Sequence, residues 1–332
     1  MTEEDVKDLA TNGQFDGRPI RGTIEETHIS WVLLTRNRAL KIKKPFKLPF
    51  LDFSTLRLRK KYCDRELKLN QRFSHIYLSV LPIVKSNQDW RIGGRGKPID
   101  YAVVMKRMDQ AMKMDNLLKS SKVSENRIKR LAVTIARFHA RSRGVFKPFN
   151  LAVARETFND IDMIKTVVKN NLGRRYINLI SLTKEWSDSF LQEHQKRFQE
   201  RVDAGFKRDI HGDLHSGNIF LYPKPVLFDC IEFNDEYRQI DVLYEIAFLC
   251  MELEFYKEKS ISDYLLQKYL SRFPCLESSE DEKLLTYYKC LRANVRAKVH
   301  GLQLRQVRAP EKRRRQLADL KKYLDLMKRY IQ

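Results

Sequence analysis

The sequence predicts an α+β protein in which an N-terminal antiparallel sheet with one helix precedes a mostly helical C-terminal part. Three observations carry this. Short β-branched and aromatic runs crowd the first 107 residues, apolar residues recur at helical spacing through most of the rest, and one tight polar loop around Asp213 sits beside a short hairpin. At 332 residues with 42% hydrophobic residues the chain can bury large cores, which excludes a disordered chain.

The first strands are expected at 23–28, 31–35 and 39–43, broken by Asn37 and flanking basic residues. Ser54 is placed to cap a helix over 55–73, where Leu56, Cys63, Leu67 and Phe73 recur at near-helical spacing and Glu66 is one of few acids. Runs at 77–85 and 101–107 read as a hairpin whose tip holds Asn87, Gln88 and the glycine-rich stretch 93–98. That stretch is not a P-loop, because GxxxxGK[ST] would need Gly at Arg91 and Ser or Thr at Pro98. Helices are expected at 124–143, 176–205, 240–256, 261–273, 279–306 and 310–331, with one two-stranded element at 219–222 and 226–229. The expected organisation is a β-rich lobe over 1–107, a helical lobe over 108–306 and a basic amphipathic helix over 307–332.

Composition narrows the surroundings. No stretch reaches the about 18 apolar residues of a membrane span, and MTEEDVKDLA lacks the order of a signal peptide, so a cytoplasmic location is expected. Five scattered cysteines without a CxxC pair argue against a disulfide framework or a zinc site. Lys and Arg number 64 against 42 Asp and Glu, a net charge of +22 whose field attracts anions.

The chemistry is concentrated in His211-Gly212-Asp213-Leu214-His215-Ser216-Gly217-Asn218, followed eleven residues later by Asp229. The D-x-x-x-x-N spacing is that of a kinase catalytic loop. Phosphoryl transfer from ATP needs a carboxylate to take the proton of the attacking hydroxyl and oxygen ligands to hold Mg²⁺. Asp213 fits the base, and Asn218 and Asp229, at the two ends of the hairpin, fit the metal ligands. Capping residues of a turn-rich loop are the alternative for each taken singly.

With these residues the chain resembles the aminoglycoside phosphotransferase-like branch of the protein-kinase-like superfamily, whose loop reads H-G-D-x-H-x-x-N. The resemblance implies a two-lobed fold, ATP and Mg²⁺ as cofactors, loop-shaping roles for His211 and His215, and Asp241 as a brace of the catalytic loop. In the N-terminal part, Ala39-Leu40-Lys41 matches the end of V-A-I-K, with Ala39 under the adenine and Lys41 on the phosphates; Lys43 on the same face is the alternative. Glu66 is the natural partner of Lys41. Met105 and Met108, in the strand end 103–108, are candidate adenine contacts. No GxGxxG precedes Lys41; Thr27-His28-Ile29-Ser30-Trp31 stands there instead. Further segments, including Lys41 to Pro45 and Arg292 to Lys298, resemble an uncharacterised bacterial subgroup often followed by a P-loop domain. No GxxxxGK[ST] occurs here, so a stand-alone form is expected.

The reaction expected is phosphorylation of a hydroxyl on a small molecule. A polycationic aminoglycoside suits the basic balance poorly and an anionic acceptor suits it better, although acids at Glu232, Asp235, Glu236, Asp241, Glu252 and Glu254 would be the material for a local acidic pocket. Residues 305–332 hold ten basic and three acidic residues, with Leu317, Leu320, Leu324, Met327 and Ile331 in an apolar stripe. Packing of that stripe on the helical part, dimerisation, and RNA or membrane contact are its open roles. Two other functions compete: a catalytically weak kinase-like module binding nucleic acid through its basic surface, and a Ser/Thr protein kinase, which the missing A-P-E signature disfavours.

Overall fold

The computed structural model describes residues 1–48, 51–86, 89–305, 307 and 309–332. Its first half runs α1 (Glu3–Asn12), β1 (Gln14–Phe15), β2 (Arg18–Pro19), β3 (Thr23–Glu26), β4 (Ser30–Leu34), β5 (Arg38–Lys43), the small pair β6 (Lys47–Leu48) and β7 (Leu51–Asp52), α2 (Leu56–Asn70), β8 (Tyr77–Ser86), β9 (Asp89–Ile92), β10 (Asp100–Lys106) and α3 (Met114–Lys119). The second half runs α4 (Glu125–Arg141), α5 (Leu151–Asn159), α6 (Lys165–Leu172), α7 (Arg174–Glu193), α8 (Gln195–Asp203), β11 (Lys207–Asp209), β12 (Ile219–Phe220), β13 (Val226–Leu227), β14 (Gln239–Asp241), α9 (Val242–Phe255), α10 (Lys259–Leu270), α11 (Ser279–Gln303) and α12 (Pro310–Tyr330). The chain forms two compact units. The first is Met1–Leu117 with His211–Asp213 and Gly217–Arg238; the second is Leu118–Ile210 with Leu214–Ser216 and Gln239–Gln332.

In the first unit an eight-stranded sheet has the order β2-β1-β9-β8-β10-β5-β4-β3, antiparallel throughout except for β1 beside β9. Strand alternation sorts β5 into two faces. Leu40 and Ile42 enter a core with Val6 and Leu9 of α1, Leu33 and Trp90. Ala39 faces the other way, into a cluster with Cys63 of α2, Tyr77, Val103 and Met105. Lys41 and Lys43 therefore lie on the α2 face, where aliphatic residues would be the ordinary choice. Each fully buried aliphatic residue of this strand contributes about 1.5–3 kcal/mol, so two lysines in such positions need specific partners.

Helix α2 is tied to the sheet by Arg59, whose Nε donates to both oxygens of the fully buried Asp100 at 2.9 and 3.0 Å and whose Nη1 donates to the Phe53 carbonyl at 3.0 Å. In the second unit α9 is buried on nearly every side, from Val242 to Glu254, and α10 and α11 pack against it. On α12, Leu320, Tyr323, Leu324, Leu326, Met327 and Tyr330 are buried while Lys312, Arg313, Arg314 and Arg315 are exposed, so its apolar stripe packs within its own unit and its basic face is solvated.

Several local expectations are corrected. The cap of α2 is Thr55, whose Oγ1 accepts from Leu58 N; Ser54 instead donates from N and Oγ to Asp52 Oδ1. The expected hairpin at 77–107 is three strands, because β9 folds back on β8 while β10 pairs with the other edge of β8. The single helix expected at 176–205 is α7 and α8, parted at His194, whose Nδ1 lies 2.7 Å from Glu280. Helix α1 was not anticipated; a reciprocal capping box between Thr2 and Asp5 starts it. Asn87 and Gln88 of the expected hairpin tip, and Gln306 at the end of the expected helix 279–306, lie outside the described residues. All five cysteines are buried free thiols, and among the described residues no helix is long and apolar enough to cross a membrane.

Breaking the buried Arg59–Asp100 pair leaves an uncompensated guanidinium. Asp100→Ala is expected to lower unfolding stability by about 3 kcal/mol, read by urea denaturation. A loss below about 1 kcal/mol would show that Arg59 finds water instead.

Candidate active site

The site is assembled within the first unit from β5, α2 and the two ends of the β12–β13 hairpin. Lys41 Nζ lies 2.8 Å from Glu66 Oε1 and 2.5 Å from Asp229 Oδ1. Lys43 Nζ takes the other oxygen of Glu66 at 2.6 Å and also contacts Glu232. One carboxylate thus holds two ammonium groups, each of which holds a second carboxylate. Burial pushes the Glu66 carboxyl up, but Lys41 and Lys43 overcome it and bring it down to about 2. Burial likewise works against both ammonium groups, and their acidic partners leave both pKa values above the ordinary lysine range. Burial dominates at Glu232, whose carboxyl is raised.

The loop after β11 places Asp213 and Asn218 together: Asn218 Nδ2 donates to the Asp213 carbonyl at 3.0 Å and to its Oδ2 at 3.3 Å. Gly212 is required, since it sits at φ +87° and a Cβ there would lie 2.5 Å from the Tyr237 carbonyl oxygen. His211 Nδ1 accepts from Asp213 N at 3.3 Å, which assigns the proton to Nε2, and Nε2 donates to the Phe228 carbonyl at 2.9 Å. Phe228 N in turn donates to the Asn218 carbonyl at 3.1 Å. His211 therefore stitches the loop to the residue before Asp229.

Asp229 has φ +65°, a left-handed conformation that costs a non-glycine residue roughly 1 kcal/mol or more. Its neighbours hold it there. Asp229 N donates to the Tyr77 hydroxyl at 2.9 Å, and Cys230 N donates to Asn70 Oδ1 at 3.1 Å. Asn70 Nδ2 donates back to the Glu66 carbonyl, so α2 grips both the lysine pair and the Asp229 segment. Ala39, Met105 and Met108 fall in one apolar cluster with Phe220, Val226 and Phe228; Ala39 and Met105 are cross-strand partners.

The turn standing where a glycine-rich loop was sought is 27–30, closed by Thr27 Oγ1 donating to the Ser30 carbonyl and accepting from Ser30 N, both at 2.9 Å. Asp241 caps α9 and grips Arg201 with both oxygens, at 2.7 and 2.9 Å. Of the acids considered for a pocket, most are committed within their own units: Glu232 to Lys43, Asp235 to Arg65 and Arg238, Asp241 to Arg201, Glu252 to Arg296, and Glu254 to Lys289 and Arg329. Sequence reasoning missed Asn70, Tyr77 and the Lys43–Glu232 pair. None of the three left a sequence signal: Asn70 is fully buried at i+4 from Glu66, but a polar residue on a basic helix does not announce its burial.

The architecture is the protein-kinase-like fold. It superposes on a choline/ethanolamine kinase family protein from Mesorhizobium loti with a TM-score of 0.54, covering 99% of this chain and 98% of that one at 13% identity. On choline kinase from Cryptosporidium parvum Iowa II the TM-score is 0.51, covering 100% and 98% at 14% identity. In sequence the chain is 31% identical over 314 residues to uncharacterised proteins of Mycobacterium tuberculosis and Mycobacterium bovis. The match covers 90% of this chain but only 59% of those relatives, which are substantially longer than the region they share with it. No protein-family model matches the chain.

The Glu66 carboxyl has a sign-defined effect on stability. Its folded value of about 2 lies below the ordinary 4.5, so its contribution is full above pH 4.5 and is lost as pH falls towards 2. Glu66→Gln is expected to cost about 3 kcal/mol at pH 7 and to flatten the fall in Tm between those pH values. An unchanged acid limb would show that other carboxylates set it.

Proposed function

We propose that this chain is an ATP- and Mg²⁺-dependent phosphotransferase acting on a hydroxyl group of a small molecule. The observation that supports this best is the continuous set of contacts joining Lys41 to Glu66 and Asp229, with Asn218 bound to Asp213. Phosphoryl transfer needs positioning and charge stabilisation more than covalent chemistry, and this set supplies both kinds of group.

Asp229 and Asn218 would hold the metal ion through a carboxylate and an amide oxygen, hard donors of the kind Mg²⁺ prefers. Bound Mg²⁺ would supply charge neutralisation on the phosphates. Ala39, Met105 and Met108 would contact the adenine, and Lys41 would meet the α and β phosphates. Asp213, oriented by Asn218, takes the proton of the acceptor hydroxyl as its oxygen bonds to the γ phosphorus. The bond from that phosphorus to the β–γ bridging oxygen breaks, and ADP leaves.

The commitment of Glu232, Asp235, Asp241, Glu252 and Glu254 to basic partners argues against a polycationic acceptor and favours a neutral or anionic one. Asp213→Ala is expected to lower turnover by about a hundredfold or more while the Kd for MgATP stays within about threefold, because base and nucleotide anchors are separate groups. Asp229→Ala and Lys41→Ala are expected to weaken magnesium-dependent ATP binding, measured by calorimetry. Turnover of Asp213→Ala within tenfold of wild type would remove Asp213 from the role of base.

A further inference from the structure

The basic helix α12 has a second connection besides its apolar stripe. Tyr323 donates its hydroxyl proton to Glu252 Oε1 at 2.8 Å, and Arg296 Nε lies 3.4 Å from the same oxygen. The other oxygen of Glu252 accepts from Ser216 Oγ at 2.6 Å. Glu252 is 2% exposed and Ser216 1%, and all four residues belong to the second unit. Burial raises the Glu252 carboxyl, but Arg296, His215, Ser216 and Tyr323 bring it below its ordinary value, so it is ionised at neutral pH. An ionised carboxylate only accepts, which fixes both hydroxyls as donors. The two residues before Ser216 are held as well: Leu214 is fully buried, and the His215 ring lies 5.4 Å from that of Phe248.

Ser216 stands three residues after Asp213 and two before Asn218, so a restraint on it removes backbone freedom from both. We propose that α12 braces the catalytic loop: Tyr323 fixes Glu252, and Glu252 fixes Ser216 between the base and the metal-site asparagine. The roles given to Asp213 and Asn218 rest on the kinase reading; the brace itself does not. Tyr323, Glu252 and Ser216 are positioning residues.

The same helix carries its own control. Tyr330 donates to Glu254 Oε2 at 2.7 Å, and Glu254 is further held by Arg329 and Lys289 at 2.7 and 2.9 Å. This anchor ties α12 to α9 and α11 without passing through Ser216. Tyr323→Phe and Tyr330→Phe each delete one hydroxyl that donates to a buried carboxylate on α9, and only the first belongs to the chain of contacts that reaches the loop.

The test compares Tyr323→Phe, Tyr330→Phe and Ser216→Ala in the full chain by hydrogen exchange of the amides at 214–218, by Tm, and by MgATP hydrolysis. Tyr323→Phe is expected to speed exchange at 214–218 by about fivefold or more and to lower kcat by about threefold to tenfold with KM for ATP within about twofold. Ser216→Ala should reproduce this, and the double variant should add little beyond either single one. Tyr330→Phe should lower Tm comparably while leaving exchange at 214–218 and kcat unchanged. Equal exchange in the two tyrosine variants would overturn the brace, and Ser216→Ala decides the matter should Tyr323→Phe fail to fold. Absence of ATP hydrolysis in the wild type would count against the kinase reading alone, because the exchange comparison still decides the brace.

Discussion

Two ammonium groups share one fully buried carboxylate, and the first unit is organised around that fact. Glu66 cannot be ionised in an apolar interior without cations, and Lys41 and Lys43 cannot remain charged there without acids. The alternation Asp229, Lys41, Glu66, Lys43, Glu232 satisfies every member at once. Buried pairs of this kind add little net stability compared with apolar packing, but removing one member strands a charge. Their effect is specificity: β5, α2 and the 229–232 segment have one arrangement in which all five charges are met.

What was legible in the sequence follows from how local each signal is. That Asp213 and Asn218 lie together could be read because a fixed short spacing on one tight loop joins them, and that Ala39 and Lys41 share a face because strand alternation places them there. The grips on Asp229 could not be read. Tyr77 and Asn70 bind backbone N–H groups more than 150 residues away, and a side chain bonded to a distant backbone imposes no residue type there. Helix periods were read well where apolar faces are one-sided, as in α4 and α12. The break at His194 escaped because neither Gly nor Pro marks it. The start of α1 is legible in Thr2-Glu3-Glu4-Asp5, a capping threonine followed by acids in the first turn.

The charge balance reads differently once partners are known. A net charge of +22 describes the whole chain, yet many of its acids are turned inward: Glu66, Glu232, Glu245, Glu252 and Asp281 are each nearly or fully buried. Most of the lysines and arginines of α12 are exposed. Buried Lys41, Lys43, Arg59, Arg201, Arg238 and Arg292 largely offset the buried acids, so the field presented to solvent stays strongly basic, which favours anions at long range and discourages cations.

Lys41 and Lys43 were alternatives for the phosphate contact because they occupy one face of one strand. Their surroundings differ. The Lys43 side chain is 0% exposed and Glu232 3%, so any ligand reaching that pair would have to unseal it. Asp229 is 39% exposed, and Lys41 is the cation that touches it. The buried chain of charges thus has a closed end and an open end, and a charged ligand can join at the open end without desolvating new protein charges. Meanwhile Lys43 keeps Glu66 oriented from behind, which leaves the Lys41 ammonium, with three donors and only one of them needed by Glu66, able to serve a second acceptor.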